Sequence, residues 1–141
     1  MKQHAKGFTL IELLVVISII GVLAMIIVPN LVGVRERARD TKKKTELVEL
    51  KKSLRLYYND NQSYPASGPT IGSQFTDGSG VVYMNEVPEY DAYGVSSDGE
   101  DFELKVALEN LADPDIAASQ SKCSAGLVTV TASTDYVVCQ D

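Results

Sequence analysis

The side chains that could carry chemistry are few in this sequence of 141 residues. The one histidine, His4, stands near the start of the chain, and the two cysteines, Cys123 and Cys139, stand near its end. Nucleophilic triads and zinc sites both rely on histidine or cysteine held close to further polar groups. The sequence also contains no P-loop, dinucleotide-binding glycine motif or EF-hand loop. We therefore predict no enzyme activity and no catalytic residue.

The two cysteines predict a structural role. Cys123 and Cys139 lie in a region rich in Ser, Thr and Val with strand-like alternation. We predict a disulfide between them, which would close a loop of about 17 residues and contribute on the order of 3 kcal/mol. Such a bond requires an oxidising compartment outside the cytoplasm. The alternative is a pair of free buried thiols in a cytosolic domain.

A cluster of carboxylates raises the question of a metal ion. It consists of Asp98, Glu100, Asp101 and Glu103. Carboxylate oxygens are ligands for Ca²⁺, which makes Asp98 and Asp101 the candidate ligands. The spacing matches no calcium loop, so the sequence favours a solvated turn flanked by solubilising charges. No cofactor is predicted.

Composition divides the chain into parts that differ in charge and hydropathy. Residues 8–28 are almost wholly apolar, residues 30–59 have a net charge of +5, and residues 60–141 have a net charge of −12. An apolar helix of about 21 residues is roughly 31 Å long, close to the hydrocarbon thickness of a bilayer. We predict a membrane-spanning helix at residues 8–28. The acidic head argues against nucleic-acid binding, because phosphates need cationic partners.

Residues 29–59 predict an amphipathic helical stem. Pro29 is expected to kink or locally open the helix without ending it. Three leucines at helical spacing form a face that should pack on the head; they are Leu47, Leu50 and Leu54. The opposite face is basic. It is either a solvated helix face or a surface for acidic heads of neighbouring subunits or anionic lipid, with residues 35–44 the favoured stretch.

Residues 60–141 predict a small globular head. Residues 61–77 are rich in Ser, Gly, Pro and Asn and indicate a loop. The sequence Asp98-Gly99 between alternating segments predicts a hairpin. The predicted strands are residues 92–96, 102–108, 127–131 and 136–139. The expected fold class is α+β, in which a long N-terminal helix packs by its C-terminal half on an antiparallel sheet of three or four strands.

The N-terminus resembles a known family. Residues 7–12, Gly-Phe-Thr-Leu-Ile-Glu, continue into an unbroken apolar run and Pro29, as in type IV pilins and the pseudopilins of type II secretion and DNA uptake. In that family a membrane peptidase cleaves after the glycine, and the new N-terminal residue is N-methylated. The resemblance implies a leader at residues 1–7, cleavage between Gly7 and Phe8, and methylation of Phe8. It also implies assembly roles for Phe8, Glu12 and Pro29.

The chemistry of Glu12 favours a role in assembly independently of the family resemblance. A carboxylate within an apolar membrane segment costs a few kcal/mol unless it is paired, neutralised or able to reach the interface. Cleavage after Gly7 frees an amine on Phe8, and that amine of one subunit could pair with Glu12 of its neighbour. The alternative is that Glu12 reaches the interface or is protonated without a role.

The resemblance also implies a function, a location and partners. The chain would be a structural subunit of a type IV pilus or pseudopilus, held in the inner membrane by one helix with its N-terminus in the cytoplasm. It would then enter an extracellular filament or a periplasmic pseudopilus. The expected partners are other copies in a helical homopolymer, the prepilin peptidase, the inner-membrane assembly platform, and membrane lipid before assembly.

Two alternatives belong to other classes of protein. The first is a membrane-anchored extracellular binding domain that never polymerises, and the second is a small enzyme with an uncleaved signal anchor.

The distribution of basic residues bears on the orientation in the membrane. The leader contains two basic residues, while six follow the span within about 16 positions, and this count favours a cytoplasmic head. The cleavage motif and the cysteine pair favour the opposite orientation.

Overall fold

The computed structural model describes residues 7–123, 125–130 and 133–140, with the side chains of all of these except residues 27–32. The chain forms two compact units, Met1–Arg35 and Glu36–Asp141. His4 and the rest of the leader before Gly7 lie outside the described residues. Among the described residues, no helix has both the length and the apolar character needed to cross a membrane. The span at residues 8–28 includes positions outside that description and stays a prediction, as do the other domain bounds.

Helix α1 comprises Leu10–Asn61 and contributes residues to both units. It continues past Pro29, whose side chain lies outside the described set. In the second unit, Leu47, Leu50 and Leu54 are completely buried in the main hydrophobic core. The predicted apolar face of the stem is therefore confirmed.

The head combines a second short helix with two antiparallel sheets. Strands β1 and β2 form a two-stranded sheet, and the other three form a sheet in the order β3-β4-β5. The elements are β1 Phe75–Thr76, β2 Val82–Met84, β3 Ala92–Val95, β4 Phe102–Ala107, α2 Pro114–Lys122 and β5 Asp135–Cys139. The core contains the α1 leucines together with Phe102, Leu104 and Val106 of β4. The α+β fold class, with a long helix on a small antiparallel sheet, is confirmed.

The predicted hairpin is present as β3 and β4, paired in antiparallel register from Ala92↔Lys105 to Val95↔Phe102. Gly99 has φ 76° in the connecting turn, a value that glycine adopts at little cost. The main-chain carbonyl of Gly99 accepts a hydrogen bond from the Tyr64 N–H at 2.8 Å. The turn is thereby attached to the segment that follows α1.

One predicted strand is wrong. Residues 127–130 do not form a strand, and residue 131 lies outside the described residues. The Leu127 and Val128 N–H groups donate instead to Glu103 Oε2, at 2.8 and 3.0 Å. A buried carboxylate thus takes the donors that a strand ladder would use.

Three elements were absent from the sequence prediction, namely β1, β2 and α2. The loop expected at residues 61–77 contains β1. Helix α2 follows Asp113, whose side chain accepts from the Asp115 N–H and caps the helix, with Pro114 in its first turn.

The predicted disulfide is confirmed. Cys123 and Cys139 are bonded, with their Cα atoms 5.5 Å apart. Because Cys123 is the C-cap of α2 and Cys139 ends β5, the bond joins the short helix to the edge of the three-stranded sheet.

Candidate processing and assembly site

The start of α1 is fixed by a capping box. Thr9 stands just before the helix, and its N–H and hydroxyl donate to Glu12 Oε2 at 2.9 and 2.8 Å. The Glu12 N–H donates back to Thr9 Oγ1 at 3.3 Å. This reciprocal arrangement satisfies donors that a helix start leaves unpaired. Glu12 therefore has a structural role at the helix start, which sequence reasoning missed although Thr-x-x-Glu was its signal.

The peptide bond between Gly7 and Phe8 lies outside this cap. Neither residue belongs to a helix or strand, and the Phe8 side chain is 83% exposed. A Cβ placed on Gly7 would meet nothing within 4 Å. Local packing of the described residues therefore does not require glycine at position 7.

The apolar side chains that follow are uncovered. Large apolar residues between Leu10 and Ile26 are each exposed by 47% or more. Extended apolar surface of this kind indicates contact with lipid or with other protein. The described apolar side chains of the first unit from Leu10 to Ile26 are thus exposed along the helix.

The basic stem is held by ion pairs to the connection between β4 and α2 and to the first turn of α2. Arg39 donates to both carboxylate oxygens of Glu109, with Nη2 and Oε2 2.6 Å apart. Lys44 Nζ lies 2.9 Å from Asp113 Oδ2 and 2.7 Å from Asp115 Oδ2. Burial opposes the charge of Lys44, but these two bonds outweigh it and raise its pKa. The bonds from Arg39 lower the pKa of Glu109.

These ion pairs alter the expectation for residues 35–44. Arg39 and Lys44 neutralise carboxylates of their own head, so these two side chains are engaged within the chain. Asp40, only 1% exposed, lies between them in sequence and accepts from the Glu109 and Asn110 N–H groups, both at 2.8 Å. The stem and head of one subunit are thus joined by a set of polar contacts that sequence reasoning missed.

The residues of the candidate calcium cluster make different contacts. Asp98 Oδ1 accepts from the Ser96 hydroxyl and the Glu100 N–H, which stabilises the hairpin turn and lowers the pKa of Asp98. Asp101 bonds through its main chain to Ser96, and Glu103 is buried against the segment at residues 127–128. Within the described part of the chain, no group of three side chains is placed to hold a metal ion.

Comparisons with known proteins agree with the N-terminal geometry. Residues 2–28 match the family model of the prokaryotic N-terminal methylation motif. The type II secretion system core protein G of Dickeya chrysanthemi is 42% identical over 73 residues, which cover 52% of this chain and 48% of that protein. The protein of the same name from Klebsiella pneumoniae is 39% identical over 87 residues, which cover 62% of each chain.

A pilus component is similar as well. The type IV wide pilus major component PilA4 of Thermus thermophilus is 48% identical over 65 residues, which cover 46% of this chain and 50% of that protein. In these three relatives the match spans between 48% and 62% of their length. No solved structure matches the chain. The resemblance to the pilin and pseudopilin family is confirmed.

Proposed function

We propose that this chain, which carries the methylation motif of the pilin and pseudopilin family, is a filament subunit made as a membrane-anchored precursor. It is cleaved between Gly7 and Phe8, methylated on Phe8, and polymerised through its N-terminal helix. The observation that supports the proposal best is the order of three features. An exposed Gly7-Phe8 bond precedes a capped helix start, and an uncovered apolar helix follows.

Glu12 can serve the helix cap and a neighbour together. Both bonds from Thr9 reach Oε2, and Oε1 has no hydrogen bond among the described residues. The amine that cleavage creates on Phe8 of the next subunit can approach Oε1 without displacing Thr9. A charge pair of this kind, formed in apolar surroundings, would fix the axial register of an incoming subunit.

The proposal includes the partners and the locations of a filament subunit. The precursor is held in the inner membrane by residues 8–28, with lipid covering the apolar helix and the N-terminus in the cytoplasm. Prepilin peptidase then removes the leader, and the assembly platform passes the subunit into the filament. Repeated head-to-tail contacts without rotational closure give a helical polymer, in which apolar helices cover one another.

Intact-mass spectrometry of material sheared from the cell surface tests processing. We expect a mass corresponding to residues 8–141 plus one methyl group, which rises by the mass of two hydrogen atoms when the disulfide is reduced. Gly7→Val should retain the leader, because a Cβ at this position meets no described atom within 4 Å and the peptidase is expected to reject the larger residue. A full-length mass confined to the membrane fraction would instead support an anchored domain that does not polymerise.

Substitution of Glu12 tests assembly separately from helix capping. Glutamine also serves in a capping box, so Glu12→Gln keeps the helix start and removes only the charge. We expect this variant to be cleaved and methylated yet absent from sheared filaments. Thr9→Val, which removes the hydroxyl and keeps the Glu12 charge, is the matched control and should still assemble. Normal filaments from Glu12→Gln would contradict the assembly role.

A further inference from the structure

A small cavity in the head is bordered by two residues whose buried side-chain oxygens lack a hydrogen-bond donor. It has a volume of about 290 Å³ and lies beside the disulfide, with Glu103 of β4 and Gln140 after β5 among its lining residues. We call it the polar cavity. Glu103 Oε1 and Gln140 Oε1 are both buried, and neither has a hydrogen-bond partner in the described part of the chain. One cavity thus has two acceptors that its own subunit leaves unsatisfied.

Glu103 has the stronger demand for a donor. It is only 1% exposed, and its other oxygen, Oε2, already accepts from the Leu127 and Val128 N–H groups at 2.8 and 3.0 Å. A buried polar atom without a partner costs free energy, and the cost is larger for a charged group. Lys122 also borders the polar cavity but is not bonded to Glu103 Oε1. The polar cavity therefore fits a cationic donor from outside the described residues of its own subunit.

Arg37 of the stem is an exposed cation whose guanidinium forms no hydrogen bond or ion pair with the described residues. Lys44 is the main cause of the lowered pKa of Asp113, to which Arg37 adds only a weaker attraction through space. Two other stem cations, Arg39 and Lys43, form ion pairs with the head. A guanidinium has five N–H donors in a planar fork, so it can bond two acceptors at once. Arg37 is therefore a donor of the kind that the polar cavity lacks.

Arg37 and the polar cavity lie at opposite ends of the second unit. Asp101 borders the polar cavity, and Glu100 beside it accepts a hydrogen bond from the Tyr58 hydroxyl near the end of α1. From Arg37 to Tyr58, α1 rises by roughly 31 Å. A donor and an acceptor so far apart cannot meet within one subunit, but they can meet between copies stacked head to tail. Such a heterologous contact continues as a filament when it does not close into a ring.

We infer that the polar cavity of one subunit receives the Arg37 guanidinium of a neighbouring copy, which donates to Glu103 Oε1 and Gln140 Oε1. This inference rests on the proposed filament function and adds to it a contact between the head of one copy and the stem of the next. The bond to Glu103 is charge-assisted and therefore stronger than a bond between neutral groups. Any other packing of the copies leaves a buried carboxylate oxygen unpaired, so the contact favours one register.

Glu103→Gln in the full-length chain, expressed in cells with the assembly machinery, tests the inference. The amide oxygen can still accept from the Leu127 and Val128 N–H groups, while the NH₂ group replaces Oε1 and presents donors to the polar cavity. The head should therefore fold, which near-UV circular dichroism checks. The measurement is the sheared filament fraction relative to total cleaved subunit. We expect this fraction to fall about tenfold, equivalent to about 1.4 kcal/mol per subunit.

Arg37→Gln changes the other partner at an exposed position and should lower the filament fraction to the same extent. Lys52→Gln is the matched control, because Lys52 is an exposed cation of the same helix that does not border the polar cavity. It should leave the fraction within about twofold of the unmodified value. The double variant Glu103→Gln with Arg37→Gln should be no worse than either single variant, since both remove one contact. If Arg37→Gln or a folded Glu103→Gln behaves like Lys52→Gln, or if the two losses multiply, the inference is wrong.

Cross-linking gives a second measurement that keeps Arg37 and Glu103 unchanged. Ala38 is exposed beside Arg37, and Asp101 is exposed at the border of the polar cavity. Filaments that carry Ala38→Cys together with Asp101→Cys should form ladders with a short bis-maleimide cross-linker, whereas each single variant should not. Absence of ladders from otherwise normal filaments would overturn the contact and leave the proposed function standing. Absence of filaments from the unmodified, correctly cleaved chain would overturn both.

Discussion

Removal of the Asp40 carboxylate should strongly destabilise the head. Its two oxygens accept from the main-chain N–H groups of Glu109 and Asn110, both at 2.8 Å, and its side chain is almost fully buried. Hydrogen bonds to a charged group contribute about 1.5 to 3 kcal/mol each. Asp40→Ala breaks both bonds and leaves two donors unpaired. Alanine favours the helix by a few tenths of a kcal/mol, so the net loss is roughly 3 to 5 kcal/mol.

Asparagine at position 40 tests the two hydrogen bonds of Asp40 separately. Asp40→Asn retains one acceptor and directs an NH₂ group at the second donor, so it should lose roughly half as much stability as Asp40→Ala. For a head of about 100 residues, 1 kcal/mol shifts Tm by about 4 to 8 °C. We therefore expect Asp40→Ala to lower Tm by at least roughly 12 °C.

Thermal unfolding of the full-length chain in detergent provides the assay. The chain has seven tyrosines and no tryptophan, so near-UV circular dichroism follows the tyrosines of the head. Asp101→Ala is the control, because Asp101 is exposed and its side chain forms no hydrogen bond with the described residues; its effect should stay within about 0.5 kcal/mol. If Asp40→Ala unfolded at the same temperature as Asp101→Ala, the contact between stem and head would not stabilise the fold.

Three further predictions use the same assay. Reduction of the disulfide, which spans a sequence separation of 16, should lower the free energy of unfolding by about 3 kcal/mol. Gly94→Ala would place its Cβ against the main-chain carbonyl of Leu127 and should cost about 1 to 3 kcal/mol, whereas Gly78→Ala enters open space and should not. The bond from Lys44 lowers the pKa of Asp113 in the folded state, so this carboxyl stabilises the fold above its unfolded pKa, about 3.9, and the gain is lost as pH falls through the folded value. Lys44→Gln should therefore weaken the dependence of Tm on pH below about 4, and an unchanged acid profile would contradict this coupling.

Local sequence signals were sufficient where one residue type determines the conformation. Asp98-Gly99 predicted the hairpin because glycine reaches a positive φ at little cost. The helical spacing of Leu47, Leu50 and Leu54 predicted the buried face of the stem. Thr9 and Glu12 have the Thr-x-x-Glu spacing of a capping box, which is an equally local signal.

Long-range contacts could not be predicted from local sequence patterns. Residues 127–131 alternate like a strand, yet Glu103, 24 positions before Leu127, binds two of their N–H groups. Strands β1 and β2 have only two and three residues, too few for a periodic pattern. Stacking of Tyr57 on Phe75, with ring centroids 5.3 Å apart, holds β1 against the stem.

The charge contrast between stem and head has a structural use in this chain. Within the chain, Arg39 and Lys44 of the stem bind acidic residues that lie about 70 positions away in sequence. These contacts hold the loop between β4 and α2 against the stem within the second unit. In the proposed filament each contact between subunits is repeated many times, so every copy must hold its head on the stem in the same way. Loss of the internal pairs should therefore impair assembly even in variants whose exposed charges are unchanged.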